Sequence, residues 1–338
     1  MKAKQILFPE VNTAALVDRE LPDEPGSDRV LVRTIYSTVS PGTERANITG
    51  SDSVAGSSAP SVSFPRALGY SSCGVVEKVG CDVRSVVPGD RVIVFWGKHS
   101  EYNLISEYNV VKIADGISDA EAAAVFICTF PMAAVRKTGL ELGESAMVMG
   151  LGTLGQFAVR LLAAAGAAPV IAADPVEKRR LSALEGGADA ALDPLEKDFA
   201  RKVKELTGGG VNAAIEVTGV GAGLDETLDC MAKMGRVALL GCTRDKNFTI
   251  DYYRKVHSPG ITLIGAHTNA RPMEESYPGH FTHRDDINAI MRLIKCGRLD
   301  IKKMLGPVYA PQECGKVYER LINDREFPML CQFDWRRL

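Results

Sequence analysis

The sequence predicts an α/β protein in which a doubly wound parallel sheet follows a β-rich N-terminal part. Three observations carry this. The first hundred residues hold period-two apolar runs separated by long loops. From Ser118 onward, short apolar strands alternate with helical segments. Within this second part, residues 144–174 (ESAMVMGLGTLGQFAVRLLAAAGAAPVIAAD) contain a strand, a glycine turn, an amphipathic helix and a second strand.

In the N-terminal part, residues 30–36 alternate with a period near two, and 74–79 and 91–95 behave alike. Pro88-Gly89-Asp90 is the turn into the last of these. Residues 49–65, rich in Ser, Gly and Ala, form a loop long enough to serve as a lid. Later strands are expected at 146–149, 170–173, 190–192, 213–217, 236–240 and 261–265. Helices are expected at 181–185, 199–206 and 224–234. Six strands with crossover helices make a doubly wound parallel sheet. The tail adds helices at 286–296 and 312–321 and a strand at 329–333.

The stretch 144–174 carries the most specific chemistry. Strand 146–149 ends at Gly150-Leu151-Gly152-Thr153-Leu154-Gly155, and Leu154, Phe157, Leu161, Leu162 and Ala165 then share one helical face. Gly150 permits the tight turn, Gly152 lets backbone approach a pyrophosphate, and Gly155 lets helix and strand pack closely. The pyrophosphate belongs on the helix N-terminus, where N–H groups and the dipole favour anions. Asp174 lies about 20 residues beyond the last glycine, where an acid binds both ribose hydroxyls and repels a 2′-phosphate. NAD is therefore expected over NADP. Arg179 and Arg180 follow on a helix starting near Pro175 and are expected as solvated surface charges. Thr218, at the end of strand 213–217, is counted with the cofactor-binding residues Gly150, Gly152, Thr153, Leu154, Gly155 and Asp174.

Composition excludes several classes. A chain of 338 residues with 46% hydrophobic and 24% charged side chains is an ordinary globular protein of about two domains. A net charge of −2 gives no reason to expect nucleic acid or a membrane surface as partner. The N-terminus MKAKQILFPE lacks a signal-peptide core. The longest apolar run, 161–173, is interrupted by Gly166 and Pro169 and is too short to span a bilayer. Eight scattered cysteines without a CxxC pair point to a reduced cytoplasm.

Pro41-Gly42-Thr43-Glu44, Leu68-Gly69-Tyr70 before Gly74-Val75-Val76, Pro88-Gly89-Asp90-Arg91-Val92 and the glycine turn together resemble the medium-chain dehydrogenase/reductase superfamily. The resemblance covers nearly the whole chain. It implies a GroES-like catalytic domain over 1–118, completed by 284–338, and a Rossmann domain over 119–283. It also implies a cleft between them and hydride transfer involving a nicotinamide ring. The glycine turn looks like that of alcohol and polyol dehydrogenases rather than quinone reductases.

Where this chain departs from the zinc alcohol dehydrogenases is informative. Pro41 stands where those enzymes carry a zinc-ligating Cys, Tyr70 and Ser71 replace the His and Glu of Gly-His-Glu, and Cys128 falls three residues from the third ligand position. Residues 88–112 hold none of the four cysteines of a structural zinc lobe. Too few ligands remain for either site, so no zinc is expected. By the resemblance, Thr43 matches the hydroxyl that bonds the substrate oxygen and Thr129 the threonine beside the nicotinamide. Tyr70 would bring a phenol into the same cleft, either as acid–base or merely filling the zinc void. Glu44 matches the acid that orients the zinc histidine, and would orient Tyr70 or act itself. Lys98 and His99 lie on a loop lining the cleft in relatives, with His99 a possible proton relay. Gly279-His280-Phe281-Thr282-His283 reads as a loop rather than a metal hairpin.

The pattern is loosely similar to the zinc-lacking bacteriochlorophyllide dehydrogenase group, and equally to polyol, sugar and threonine dehydrogenases. The leading expectation is a zinc-independent NAD-dependent dehydrogenase of a secondary alcohol, polyol or sugar-like hydroxyl. The alternatives are an NADPH-dependent quinone or enoyl reductase and a non-catalytic dinucleotide-binding protein. By the resemblance, strand 261–265 pairs with its twin, giving a dimer or a dimer of dimers.

Overall fold

The computed structural model describes residues 1–51, 54, 62–242 and 247–338. Residues 52–53 and 55–61, most of the stretch expected as a lid, lie outside them. The chain runs β1 (Lys2–Leu7), β2 (Ala15–Glu20), β3 (Arg29–Val39), α1 (Pro41–Ile48), β4 (Ser71–Val79), β5 (Arg91–Phe95), β6 (Tyr102–Ser106), β7 (Val110–Lys112) and α2 (Asp119–Lys137). It continues through β8 (Ala146–Met149), α3 (Thr153–Ala165), β9 (Val170–Ala173), α4 (Glu177–Glu185), β10 (Ala190–Leu192), α5 (Phe199–Thr207), β11 (Val211–Glu216), α6 (Gly221–Asp229), β12 (Met231–Leu239) and β13 (Thr262–Gly265). The last elements are α7 (His283–Lys295), β14 (Val308–Tyr309), α8 (Cys314–Asn323) and β15 (Cys331–Asp334).

Two compact units result: Met1–Ile127 with Ile287–Leu338, and Cys128–Asp286. The first is a seven-stranded sheet in the order β14-β15-β3-β4-β5-β7, with β6 also on β3, and a separate antiparallel pair β1-β2. Its core includes Val39, Ile48, Tyr318, Leu321 and Phe333, so the C-terminal return supplies most of one apolar cluster.

The second unit is a six-stranded parallel sheet ordered β10-β9-β8-β11-β12-β13. Every residue of β8 and β9 is buried, as sheets covered on both faces require. Helix α3 buries Phe157, Leu161 and Leu162 and stops at Gly166, whose φ of +87° is the left-handed cap that glycine favours. Strand order reverses between β8 and β11, and in such sheets ligands bind at the carboxyl ends of strands beside that switch point.

The expected helix 224–234 ends earlier: α6 stops at Asp229 and β12 begins at Met231. The entrance to β12 is irregular, with Met231 opposite Val211 but Arg236 opposite Ala213. Met234 lies between them at φ +63°. No helix among the described residues is long and apolar enough to cross a membrane.

Candidate functional site

In the second unit the glycine turn is built as its spacing requires. Gly150 has φ +95°, and a Cβ there would stand 3.0 Å from Thr218 Cγ2. A Cβ on Gly155 would lie 1.9 Å from the Gly150 carbonyl oxygen, so α3 can start this close only with glycine there. At Gly152, the N-cap of α3, a Cβ would meet nothing within 4 Å. That side of the turn is open, and the N-cap brings no side-chain oxygen to the first N–H groups of α3, which Thr153 and Leu154 open. A pyrophosphate fits this cradle.

Asp174 directly follows β9 and is buried. Its Oδ2 accepts the Leu151 N–H at 2.8 Å and its Oδ1 the Val176 N–H at 2.9 Å. The carboxylate thus braces the glycine turn from below. The two arginines expected as solvated charges are instead turned back on it. Arg179 Nη1 lies 3.4 Å from Asp174 Oδ2, and Arg180 Nη1 donates to the carbonyls of Asp174 and Pro175 at 2.8 and 3.0 Å.

Thr218 is held by a residue the sequence did not single out. Both the N–H and the hydroxyl of Thr218 donate to Glu216 Oε1, and the Gly219 N–H lies 3.3 Å from each Glu216 oxygen. Burial raises the Glu216 carboxyl, and the donors from Thr218 and Gly219 oppose that. Thr129 is buried on α2; its hydroxyl lies 3.3 Å from His283 Nδ1, and its carbonyl accepts from Arg271 Nη2 at 2.9 Å. Arg271 and Arg136 both pair with Asp286, at 2.9 and 3.1 Å. Burial, reinforced by Arg271, lowers His283 to about 3, so this imidazole is neutral. The segment read as a loop therefore ends in the buried first residue of α7.

In the first unit, α1 carries the hydroxyl and carboxyl singled out by the sequence. Thr43 is exposed, whereas Glu44 is buried. Glu44 Oε1 accepts the Ser40 N–H at 2.9 Å, reaching back to the N-cap of its own helix. Its other partners are distant in sequence. His99 Nε2 lies 3.2 Å from both carboxylate oxygens, and the Tyr318 hydroxyl donates to Oε2 at 2.5 Å. Burial, then the Glu44 charge, push the Tyr318 phenol well above its usual range, so it stays a donor.

His99, expected on a cleft-lining loop, is 1% exposed. Its Nδ1 lies 2.7 Å from Ser37 Oγ, which also accepts the Trp335 indole N–H at 2.9 Å. An indole only donates, so the Ser37 hydrogen is left for Nδ1 and the Nε2–H for Glu44. In this arrangement every donor of the cluster has an acceptor.

Tyr70 does not take Glu44 as its partner. Its ring packs tilted on Trp96 at 5.6 Å and edge-on to Phe126 at 5.9 Å. Ser71 Oγ donates to the Ala123 carbonyl at 2.6 Å. Lys98 Nζ donates to the Ala67 carbonyl at 2.9 Å. A tetrahedral zinc needs three or four His, Cys or carboxylate ligands. The ligand positions here hold Pro41, Tyr70 and Ser71, His99 already has a partner at each nitrogen, and burial drives the Cys128 thiol far above its usual range. This donor set does not fit zinc.

Two family models match consecutive parts of the chain: an alcohol dehydrogenase GroES-like domain over residues 26–158 and a zinc-binding dehydrogenase over 153–281. D-guloside 3-dehydrogenase of Escherichia coli K12 is 28% identical over 260 residues, covering 76% of this chain and 73% of that protein. L-threonine 3-dehydrogenase of Pyrococcus horikoshii is 25% identical over 325 residues, covering 88% of each. The crystal structure of benzyl alcohol dehydrogenase from Acinetobacter calcoaceticus superposes with a TM-score of 0.84 at 20% identity, covering 99% of both chains. With the fold, the glycine turn and the Pro41–Glu44 motif in agreement, the chain is an oxidoreductase belonging to the alcohol-dehydrogenase-like medium-chain dehydrogenase/reductase superfamily.

Proposed function

We propose that the protein is a zinc-independent, NAD(H)-dependent dehydrogenase of a secondary alcohol, polyol or sugar-like hydroxyl, acting in the cytoplasm as a dimer or a dimer of dimers. The observation that carries this is the open glycine cradle between β8 and α3, closed below by Asp174. The bound nicotinamide supplies a hydride acceptor. Gly150 to Gly155 and the α3 N-terminus hold the pyrophosphate, Asp174 the ribose, and Thr129 and Thr218 the nicotinamide end. The Thr43 hydroxyl holds the substrate oxygen and relays its proton, giving up its own hydrogen to the solvent it is exposed to as it accepts the substrate's; the Tyr70 phenol is the alternative relay. Glu44, His99 and Tyr318 are buried and do not touch substrate; they fix the first turn of α1 and so orient Thr43.

The similar D-guloside 3-dehydrogenase and L-threonine 3-dehydrogenase support the substrate class. The dimer is supported by β13, an edge strand whose Thr262, Leu263 and Gly265 are exposed. The test is a screen of secondary alcohols and polyols with NAD on chelator-treated protein, alongside elemental analysis. NADH formation with well below one zinc per chain is expected. Stoichiometric zinc with activity lost on chelation overturns the zinc-free proposal, and NADPH-only reduction of enones or quinones overturns the substrate class.

A further inference from the structure

Three cations of the first unit lie along β1, and among the described residues no carboxylate pairs with any of them. Arg19, on β2, donates to Gln5 Oε1 of β1 at 3.3 Å. On the other side of β1, Gln5 bridges Ser100, and the Ile6 N–H donates to the His99 carbonyl at 2.9 Å. Lys98 is thereby brought alongside, and its ammonium spans to the Ala67 carbonyl, next to Arg66. Arg66 is itself pinned to the end of β1 through paired backbone hydrogen bonds with Phe8, at 2.7 and 2.8 Å.

Among the described residues none of the three is in an ion pair. Asp18, beside Arg19 in sequence, points to the opposite face of its strand and pairs with Lys4 at 2.8 Å. Glu101 accepts the backbone N–H of Lys4 instead. All three cations are partly buried. Burial, with Arg19 and Arg66 close by, holds the Lys98 ammonium below its usual range. Like charges gathered and partly desolvated without a counter-charge cost free energy that an oxyanion would recover.

We propose that Lys98, Arg19 and Arg66 form the receptor for an anionic group, a carboxylate or phosphate, carried by the hydroxyl substrate. This rests on the dehydrogenase reading above. The receptor is built on the two segments, 66–70 and 96–100, that also carry Tyr70 and His99. The lysine ammonium is a point charge with N–H donors beyond the one given to Ala67, and the guanidinium forks suit a planar or tetrahedral oxyanion.

The test is calorimetric titration of inorganic phosphate and, separately, acetate into protein saturated with NAD, so that the pyrophosphate cradle is filled. Saturable binding of at least one anion is expected, and the tighter of the two identifies the group. Lys98→Met, which keeps the aliphatic stem, and Arg66→Gln should each weaken it about tenfold or more. Equal anion affinity in wild type and both variants, or no saturable binding of either anion, overturns the proposal. Failure of wild-type protein to bind NAD would instead sink the cofactor reading, and the same comparison on apoprotein would still decide this one.

Discussion

His99 Nε2 stands 3.2 Å from each carboxylate oxygen of Glu44, so a single imidazole N–H serves a whole buried carboxylate. Removing it leaves that charge with the Ser40 N–H and the Tyr318 hydroxyl alone. His99→Ala should therefore cost about 3 kcal/mol of unfolding free energy, through the under-compensated charge and the cavity. Urea denaturation measures this. A loss below about 1 kcal/mol would mean that Glu44 is satisfied without the imidazole.

The hydroxyl assignment is separable by two conservative changes. Thr43→Val should lower turnover about 10²-fold while leaving NAD affinity nearly unchanged, because an oriented donor at the developing oxyanion is lost. Tyr70→Phe keeps the ring that packs on Trp96 and Phe126. If its phenol transfers the proton, turnover falls about 10²-fold; if the ring only fills space, turnover changes less than about threefold. Steady-state kinetics with NAD held saturating decides. Both rates unchanged would refute the assignment.

The proposed cofactor preference is tested at Asp174 and at Arg179, whose Nη1 lies 3.4 Å from Asp174 Oδ2. NAD should bind more tightly than NADP, Asp174→Ala should narrow the gap, and Arg179→Ala should widen it by removing the cation nearest the ribose acid. Fluorescence titration with both nucleotides measures all three proteins. Equal or tighter NADP binding by wild type overturns the preference. Asp174→Ala should also destabilise the fold, since the Leu151 and Val176 N–H groups lose their acceptor.

His283 supplies a pH dependence. In the fold its pKa is lowered from 6.5 to about 3 by burial and by Arg271. Between these values the unfolded chain binds a proton that the folded chain does not, so stability rises with pH there. The His283 contribution to the second unit's stability should be lost as pH falls from 6.5 toward 3, while Asp286, raised to about 6 by burial, contributes in the opposite sense; His283→Phe should remove the former and flatten its slope. Melting by circular dichroism across this range is the check, and an unchanged slope in the variant would refute it.

Edge strand β13 gives a prediction about assembly. Leu263 is 38% exposed on a strand with one unpaired side. Light scattering should find a dimer or tetramer, and Leu263→Lys should shift it toward monomer. A wild-type monomer at micromolar concentration would count against pairing through this strand.

The strands at 91–95, 146–149 and 170–173 were legible because continuous or alternating apolar runs bounded by turns carry their own signal. The start of β12 was not: Leu224, Leu228 and Met231 keep helical spacing, and only the neighbouring β11 decides that Met231 enters the sheet. In the glycine turn, the sequence motif and the geometry it builds coincide within a few residues. The Glu44 cluster has no such signature, because it joins Ser37 and Glu44 to His99, Tyr318 and Trp335 across up to 298 positions. A lone histidine in a polar run gives no hint of the carboxylate 55 residues earlier that buries it. Likewise, Arg179 read as an ordinary surface charge until Asp174 was placed beside it.

The chain has two tryptophans, Trp96 and Trp335, and both belong to the first unit. They occupy different optical environments. Trp335 is buried with its indole N–H on Ser37, while Trp96 is 37% exposed and stacked among Tyr70 and Phe126. Indole emission is therefore silent about unfolding within Cys128–Asp286, and a fluorescence melt records only the unit that carries Thr43. Its blue edge follows the His99–Ser37 cluster and its red edge follows Trp96, so two regions of the first unit can be timed separately in one protein without a label.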